Sequence, residues 1–343
     1  MVKRPLARVI AALAVSVAII YLLSIVKSGP GSAPDFDCGA SQGSQTSRID
    51  IASGETGSEI ARELFDKGVV KSSESFFRVA VSDPRSSSIA PGVHLIDKQI
   101  CAQDALVQLL DSKRIAGLIA FPEGAWNSEI KEIFIRSGYP MSEVDRAFVS
   151  IDIPKPFTTL EGLLFPAQYS FAQGTTAAEA LQSIVDRGVS QLTSLGIVDG
   201  SMKFTAQELL VIASIIQAEG DEKDFTKVAR VIYNRLAIDM PLQMDSTVHY
   251  IKGTRGSVFL STNSTLIKSP YNTYRNYGLP PGPIGNPGER AMQAALAPAQ
   301  GDWLYFITVA PGDTRFTSTL TEFNEWKVLY KSNLRAGKFG DGK

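Results

Sequence analysis

The sequence predicts an α+β protein in three parts: an N-terminal apolar helix, a small mixed module and a larger mixed domain. Three observations carry this. One unbroken apolar stretch opens the chain, and a Gly/Ser/Pro-rich segment follows it. Beyond that, short alternating runs and helical periodicities follow one another, with no internal repeat. At 343 residues, 44% hydrophobic and 20% charged, the chain is large enough for two modest domains or one large one. A formal net charge of −1 argues against nucleic acid as a partner, because phosphate binding usually needs a strong basic excess.

Residues Leu6 to Val26 (LARVIAALAVSVAIIYLLSIV) contain a single charge, Arg8. At about 1.5 Å rise per residue this stretch crosses a hydrocarbon core of about 30 Å. Lys3, Arg4 and Arg8 lie on its N-terminal side and Lys27 alone on the other, so the positive-inside rule puts residues 1–5 in the cytoplasm and the bulk outside. A cleaved signal peptide is the alternative, although its apolar core would be unusually long; either reading exports the remainder. Residues 27–47 read as a flexible tether. Cys38 and Cys101 are the two cysteines. An exported pair could form a disulfide, but sequence does not establish the required separation. His94 and His249 are far apart and offer no zinc-ligand spacing, so no metal or other cofactor is expected.

The small module, 48–114, opens with alternating RIDIAS, a strand. Ile60, Ala61, Leu64 and Phe65 then recur at helical spacing up to Gly68, a natural stop. A second helix is expected over Ser73 to Val81, a strand at PGVHLID, and a closing helix at AQDALVQLLDSKR. In the larger domain, 115–343, strand LIAFPEG leads into a helix from Asn127 to Ser137, and another covers Thr176 to Leu195. The helical centre runs from Thr205 to Leu236. Loops containing SPYNTY and GLPPGPIGNPG follow, then a helix from Glu289 to Leu296 and strand WLYFITV.

The helical centre carries the sharpest local signal. Thr205 and Glu208 form a capping box, and almost every residue from Leu209 to Ile216 is apolar. Ile212, Ile215, Ile216 and Glu219 follow i, i+3, i+4, i+7 spacing, so Glu219 continues an apolar stripe to Gly220. Desolvation and the helix C-terminus both raise the pKa of such a carboxyl and favour the protonated form a general acid needs. The competing reading is a structural glutamate that caps a loop or meets Arg230 or Arg235. Downstream, MPLQMDSTVHY sets Gln243, Asp245 and Thr247 on alternate residues, expected to point to one side of an extended segment.

Seven segments, in order, carry a resemblance to a known family: FPEG, LEGLLFPAQYSF, IASIIQAEG, VARVIYNRL, LQMDSTVHY, SPYNTY and GLPPGPIGNPG. Together they resemble the endolytic murein transglycosylase family, the MltG/YceG-like proteins, across most of the exported chain. The resemblance implies that 6–26 is an uncleaved membrane anchor of the cytoplasmic membrane. It makes 48–114 a LysM-like βααβ glycan-binding module and 115–343 the catalytic domain. It also implies cleavage of the β-1,4 bond between N-acetylmuramic acid and N-acetylglucosamine within peptidoglycan strands, leaving 1,6-anhydro ends. Membrane-bound peptidoglycan synthases are the expected neighbours.

The family's catalytic glutamate occupies the second acidic position of a motif resembling ASIIExE. Here Gln217 fills the first position and Glu219 the second, so Glu219 is the only titratable candidate of the pair. Where many relatives carry His in the TEFNEW segment, this chain has Phe323. Gln243, Asp245, Thr247, Tyr271, Asn272, Tyr274 and Glu161 are the expected substrate contacts. Glu123 and Glu161 are also candidates for a second carboxylate or for fixing loops. The competing functions are a hydrolase that leaves reducing ends and a non-catalytic wall-binding scaffold.

Overall fold

A computed structural model describes residues 33–39, 45–52, 54–171, 174–201, 203–255 and 263–339. The apolar stretch at 6–26 lies outside the described residues. Among those described, no helix is long and apolar enough to cross a membrane. The chain divides into two compact units, meeting at Ala116 and Gly117.

In the first unit, strand β1 (Thr46–Ile51) pairs antiparallel with β2 (Gly92–Asp97), and β2 with the short β3 (Ile115–Ala116). Between β1 and β2 lie helices α1 (Gly57–Asp66) and α2 (Ser73–Ser82), giving a strand–helix–helix–strand order; α3 (Ala102–Leu109) follows β2. β1 alternates exposed and buried residues, so Ile49 and Ile51 face Ile60, Leu64, Phe76 and Leu106 in one core. Gly68 ends α1 with φ +71, a backbone conformation that costs glycine nothing. Cys38 and Cys101 form a disulfide with Cα atoms 5.0 Å apart, pinning residues 33–39 to the start of α3. Asp35 reinforces the join by accepting the Ala102 N–H. His94 is wholly buried on the central strand, with Nε2 2.8 Å from the Ala90 carbonyl, so its place is structural.

The second unit begins with β4 (Ile119–Ala120), which pairs with β5 (Gln168–Tyr169). Helices α4 (Asn127–Arg136), α5 (Met141–Ser150) and α6 (Ala177–Ser194) pack around that pair, with Ile130, Phe134, Leu181 and Ile184 fully buried. The strand expected over LIAFPEG is only two residues long, because Pro122 and the left-handed Gly124 (φ +76) turn the chain away from the ladder.

A second core surrounds α7 (Ala206–Glu219). Its capping box is present: Glu208 N–H reaches Thr205 Oγ1 at 3.3 Å, and Thr205 N–H reaches the Glu208 carboxylate at 2.8 Å. Every residue from Leu209 to Ile216 is buried. Helices α8 (Phe225–Ala237), α9 (Asp245–Lys252) and α10 (Glu289–Leu296) pack against it. The hairpin of β6 (Tyr305–Ala310) and β7 (Asp313–Thr317) and helix α11 (Leu320–Arg335) close the unit.

Gly220 ends α7 where the sequence places the stop, in an extended conformation (φ −137). One local expectation needs correction. The segment from Gln243 to Thr247 is not an extended strand with three polar side chains on one side. Gln243 adopts φ +48, which breaks the extended path, and Asp245 already belongs to α9. Gln243 and Asp245 stay exposed, whereas Thr247 turns into the interior.

Candidate active site

Helix α7 delivers Glu219 to its C-terminal end, and α9 brings its N-terminus to meet it. Glu219 Oε1 accepts the Ser246 N–H at 3.0 Å. Ser246 is the second residue of α9, so this amide is one of the donors a helix start leaves unpaired. The carboxyl is densely surrounded by protein although the residue keeps partial exposure. Burial is the dominant influence and pushes its pKa up. The Ser246 hydroxyl and amide pull it down, the Asp245 carboxylate adds to the rise, and Arg235 opposes it. The net direction is upward, which favours the neutral acid.

Neither arginine considered as a partner captures Glu219. Arg235 is buried and donates to the backbone carbonyls of Leu304, at 2.6 Å, and Leu242. Arg230 donates to the carbonyls of Ala299 and Pro298. Among the described residues no ion pair includes Glu219. The guanidinium of Arg235 lies 5.6 Å from the Tyr305 ring centroid, and Tyr305 in turn stacks on Phe323 at 5.3 Å. Phe323 therefore does ring packing where many relatives are expected to place His.

An open cavity of about 320 Å³ adjoins this acid. Its walls include Glu123, Gly124, Trp126, Gln217, Ser246 and Arg255. Glu219 is not itself on the wall; its sequence neighbour Ala218 and its donor Ser246 are. Gln217 is held in place through its Oε1, which accepts the Gly288 N–H at 2.9 Å and caps α10 with a neutral oxygen. Arg255 lies over the Trp126 ring at 4.0 Å and reaches Glu129 through both guanidinium and carboxylate forks.

Asp245 is exposed and accepts the Tyr274 hydroxyl in a short hydrogen bond. Burial and this carboxylate together push the Tyr274 phenol up, so it stays a neutral donor. Gln243 is exposed, while its backbone N–H meets the Thr273 carbonyl at 3.1 Å. Two expected substrate contacts lie in the interior instead. Thr247 is fully buried, its hydroxyl on the Met244 carbonyl at 2.7 Å and on Thr273 Oγ1 at 3.0 Å. Asn272 is also fully buried, donating to the Thr265 and Ile267 carbonyls and accepting the Tyr274 N–H. Both set loop shape, because their polar groups are already spent on backbone and buried hydroxyl partners.

Glu161 sits at the start of α4, where Oε1 accepts the Asn127 N–H at 3.0 Å and Oε2 accepts the Tyr250 hydroxyl at 3.0 Å. Burial raises this carboxyl to about 7 against the lowering effect of those bonds. Tyr250 and Tyr271 are neighbouring rings, 5.3 Å apart. Glu123 is exposed, with its carboxylate packed against the Cα of Gly288 so closely that a side chain there would overlap it.

Asn286, Ser246, Trp126 and Arg255 are not singled out by the sequence. Asn286 is the hub: its Oδ1 accepts the Gly162 and Leu164 amides at 3.0 and 2.8 Å. Its Nδ2 donates to the Ala125 carbonyl, Asn127 and Glu161. The signal available is an Asn held between Gly285 and Pro287 in a loop too rigid to be only a linker. Gly285 is needed there because a side chain would meet the Gly124 carbonyl at 2.8 Å.

Fold and site together define a mixed α+β protein whose larger unit sets the desolvated Glu219 carboxyl, with no ion pair among the described residues, near an open cavity. A perturbed carboxyl beside a cleft is what an enzyme using acid–base chemistry needs. The chain belongs to the YceG-like family, whose profile matches residues 49–328. A protein of Bacillus subtilis (strain 168) named endolytic murein transglycosylase is 35% identical over 84% of this chain and 86% of its own length. A Streptococcus pneumoniae (strain D39) protein of the same name is 27% identical over 83% of this chain, which spans 56% of that longer protein. A crystal structure of a YceG-like protein from Listeria monocytogenes superimposes with a TM-score of 0.55 at 29% identity. It covers 82% of this chain and 99% of the other.

Proposed function

We propose that this protein is an endolytic peptidoglycan lytic transglycosylase. It cleaves the β-1,4 bond between N-acetylmuramic acid and N-acetylglucosamine within a strand and leaves a 1,6-anhydro-N-acetylmuramic acid end. The observation that carries this reading is the state of Glu219: desolvated but partly exposed, raised in pKa, free of any ion pair among the described residues, and oriented by one helix-start amide.

One carboxyl suffices for this chemistry. Hydrolytic glycosidases usually need two, an acid together with a nucleophile or a base for water. In the lytic reaction Glu219 gives its proton to the glycosidic oxygen as the C1–O bond breaks. The C6 hydroxyl of the same muramic residue then bonds to C1, and its proton returns to the Glu219 carboxylate. No water is consumed and the acid is restored. The intramolecular attack has a high effective concentration. The Ser246 N–H stabilises the carboxylate in the middle of the cycle, while burial restores the acid at the end. Asp245, which precedes Ser246 at the start of α9 and is held by the Tyr274 hydroxyl, would meet the oxocarbenium-like charge.

Asp245 is also the observation that favours a second reading, a hydrolase using two carboxyls. The full-length protein incubated with uncrosslinked glycan separates the two by product mass. Anhydro ends support the lytic reaction, whereas reducing ends refute it. Glu219→Gln is expected to lower cleavage about 100- to 10,000-fold (the order of a lost general acid with its proton return) while the protein stays folded. Equal activity in that variant removes Glu219 from the mechanism, and glycan binding without cleavage in the wild type leaves a scaffold.

The strand–helix–helix–strand order of the first unit supports a LysM-like glycan-binding role for it. The Cys38–Cys101 disulfide supports an oxidising, extracytoplasmic location, with residues 6–26 as a single-pass anchor. Anchored there, the enzyme would work on glycan strands beside membrane-bound peptidoglycan synthases.

A further inference from the structure

A second hollow, of about 410 Å³, is lined by Trp126, Ser128, Glu161, Tyr250, Ser269 and Tyr271. It neighbours the cavity beside Glu219: Trp126 belongs to both walls, and helix α9 borders both. Ser246 and His249 line the first, Tyr250 and Ile251 the second. Three rings follow one another along the second wall. Trp126 and Tyr250 meet edge to face at 5.9 Å, and Tyr250 and Tyr271 are tilted at 5.3 Å.

Such a hollow matches a pyranose ring, which has apolar C–H faces and a polar rim. Tyrosine and tryptophan present a flat apolar body with a polar handle, and ordering them costs little entropy. Glu161 supplies the polar end. A carboxylate offers about four acceptor positions. Oε1 uses its two on Asn127 N–H and Asn286 Nδ2, at 3.0 and 3.2 Å. Oε2 uses one on the Tyr250 hydroxyl, and the other is left on the oxygen that Tyr250 orients. Among the described residues Glu161 has no ion pair to offset its burial; Glu129 and Arg255 are the charged groups that influence it. A desolvated carboxyl without an ion pair, kept at the wall of an open hollow with one acceptor position still unused, is suited to meet a ligand donor.

We propose that this second hollow is a saccharide subsite that takes an N-acetylated hexosamine of the same glycan strand, away from the bond being cut. Tyr271 and Tyr250 flank the sugar ring, and Glu161 Oε2 accepts a sugar hydroxyl or acetamido N–H. Trp126, buried and shared by both walls, then stands between the two hollows that neighbouring sugars would occupy. The assignment rests on the glycan-cleaving reading given above.

The test uses full-length protein carrying Glu219→Gln, titrated calorimetrically with a peptide-free hexasaccharide of alternating N-acetylmuramic acid and N-acetylglucosamine. Tyr271→Ala and, separately, Ser128→Trp are added in that background. Ser128 is exposed in the first turn of α4, so a bulky ring there obstructs the hollow without disturbing the core. Each is expected to weaken Kd at least tenfold, with the Ser128→Trp protein melting as its parent does. Kd values within twofold of the parent in both variants overturn the subsite, and wild-type cleavage of glycan then still supports the proposed activity. Conversely, loss of affinity in both variants alongside a wild type that cuts nothing supports the subsite and overturns the activity.

Discussion

Asn286→Ala should destabilise the larger unit more than any single surface change, and the size of the effect can be worked from its bonds. The side chain is fully buried and its Oδ1 is the acceptor for two amides, Gly162 at 3.0 Å and Leu164 at 2.8 Å. Both of those residues are buried, so truncation leaves two N–H groups dry. Each orphaned donor costs about 1–3 kcal/mol, which gives roughly 2–6 kcal/mol. The Ala125 carbonyl and Glu161 Oε1 keep other donors, Asn286 N–H and Asn127 N–H, so they add little. For a unit of this size each kcal/mol shifts Tm by about 2–4 °C, which places the expected loss at about 4–24 °C. Thermal melting followed by circular dichroism measures it. Asn286→Asp is the control, because it retains both acceptor bonds but sets a second carboxylate against Glu161. Its melting temperature should fall at neutral pH and recover in acid as that pair takes up protons. An Ala variant melting within about 2 °C of the wild type, the shift that less than one orphaned donor would produce, would refute the reasoning, since the amides would then have found other partners.

Glu161 gives a pH signature. Its folded pKa, raised to about 7, lies above the ordinary 4.5, so between those values the folded state holds the extra proton. Stability should therefore fall as pH rises from about 4.5 to about 7, by a few kcal/mol at most, and Glu161→Gln should flatten that slope in urea titrations. Gly188→Ala should destabilise despite improving helix propensity, because its methyl group would lie 1.9 Å from the Leu163 carbonyl oxygen. Overpacking of about 1–3 kcal/mol outweighs a propensity gain of about 1, and a melt no lower than wild type would contradict this. Reducing the Cys38–Cys101 bridge, which closes a 63-residue separation, should lower the stability of the first unit by about 4 kcal/mol in the chain-entropy account. Hydrogen exchange with and without reductant measures that loss unit by unit.

Residues with strong periodicity announce themselves. The buried run from Leu209 to Ile216 and the capping box at Thr205 locate α7 directly, and the same stripe delivers Glu219 to its place. Helices α5 and α11 escape a reading of the sequence because their apolar positions are sparse: α5 buries only Val144 and Ala147, and α11 buries Asn333. The alternation at Gln243, Asp245 and Thr247 misleads because a period of two over five residues is too short to exclude a helix start. One positive φ, at Gln243, decides between them, and nothing in a glutamine's chemistry announces it. Hydrogen-bond hubs are harder still. Asn286 joins segments more than 120 residues apart, and no local pattern encodes such a junction.

Helix α9 touches both unusual carboxyl groups, through Ser246 at its start and Tyr250 one turn further along. Four residues of helix advance about 6 Å, so the two acids are tied to a rod of fixed length. A tilt or slide of that rod would shift the donor at each end together. A ligand that displaced the Tyr250 end of the rod would therefore displace the Ser246 amide as well.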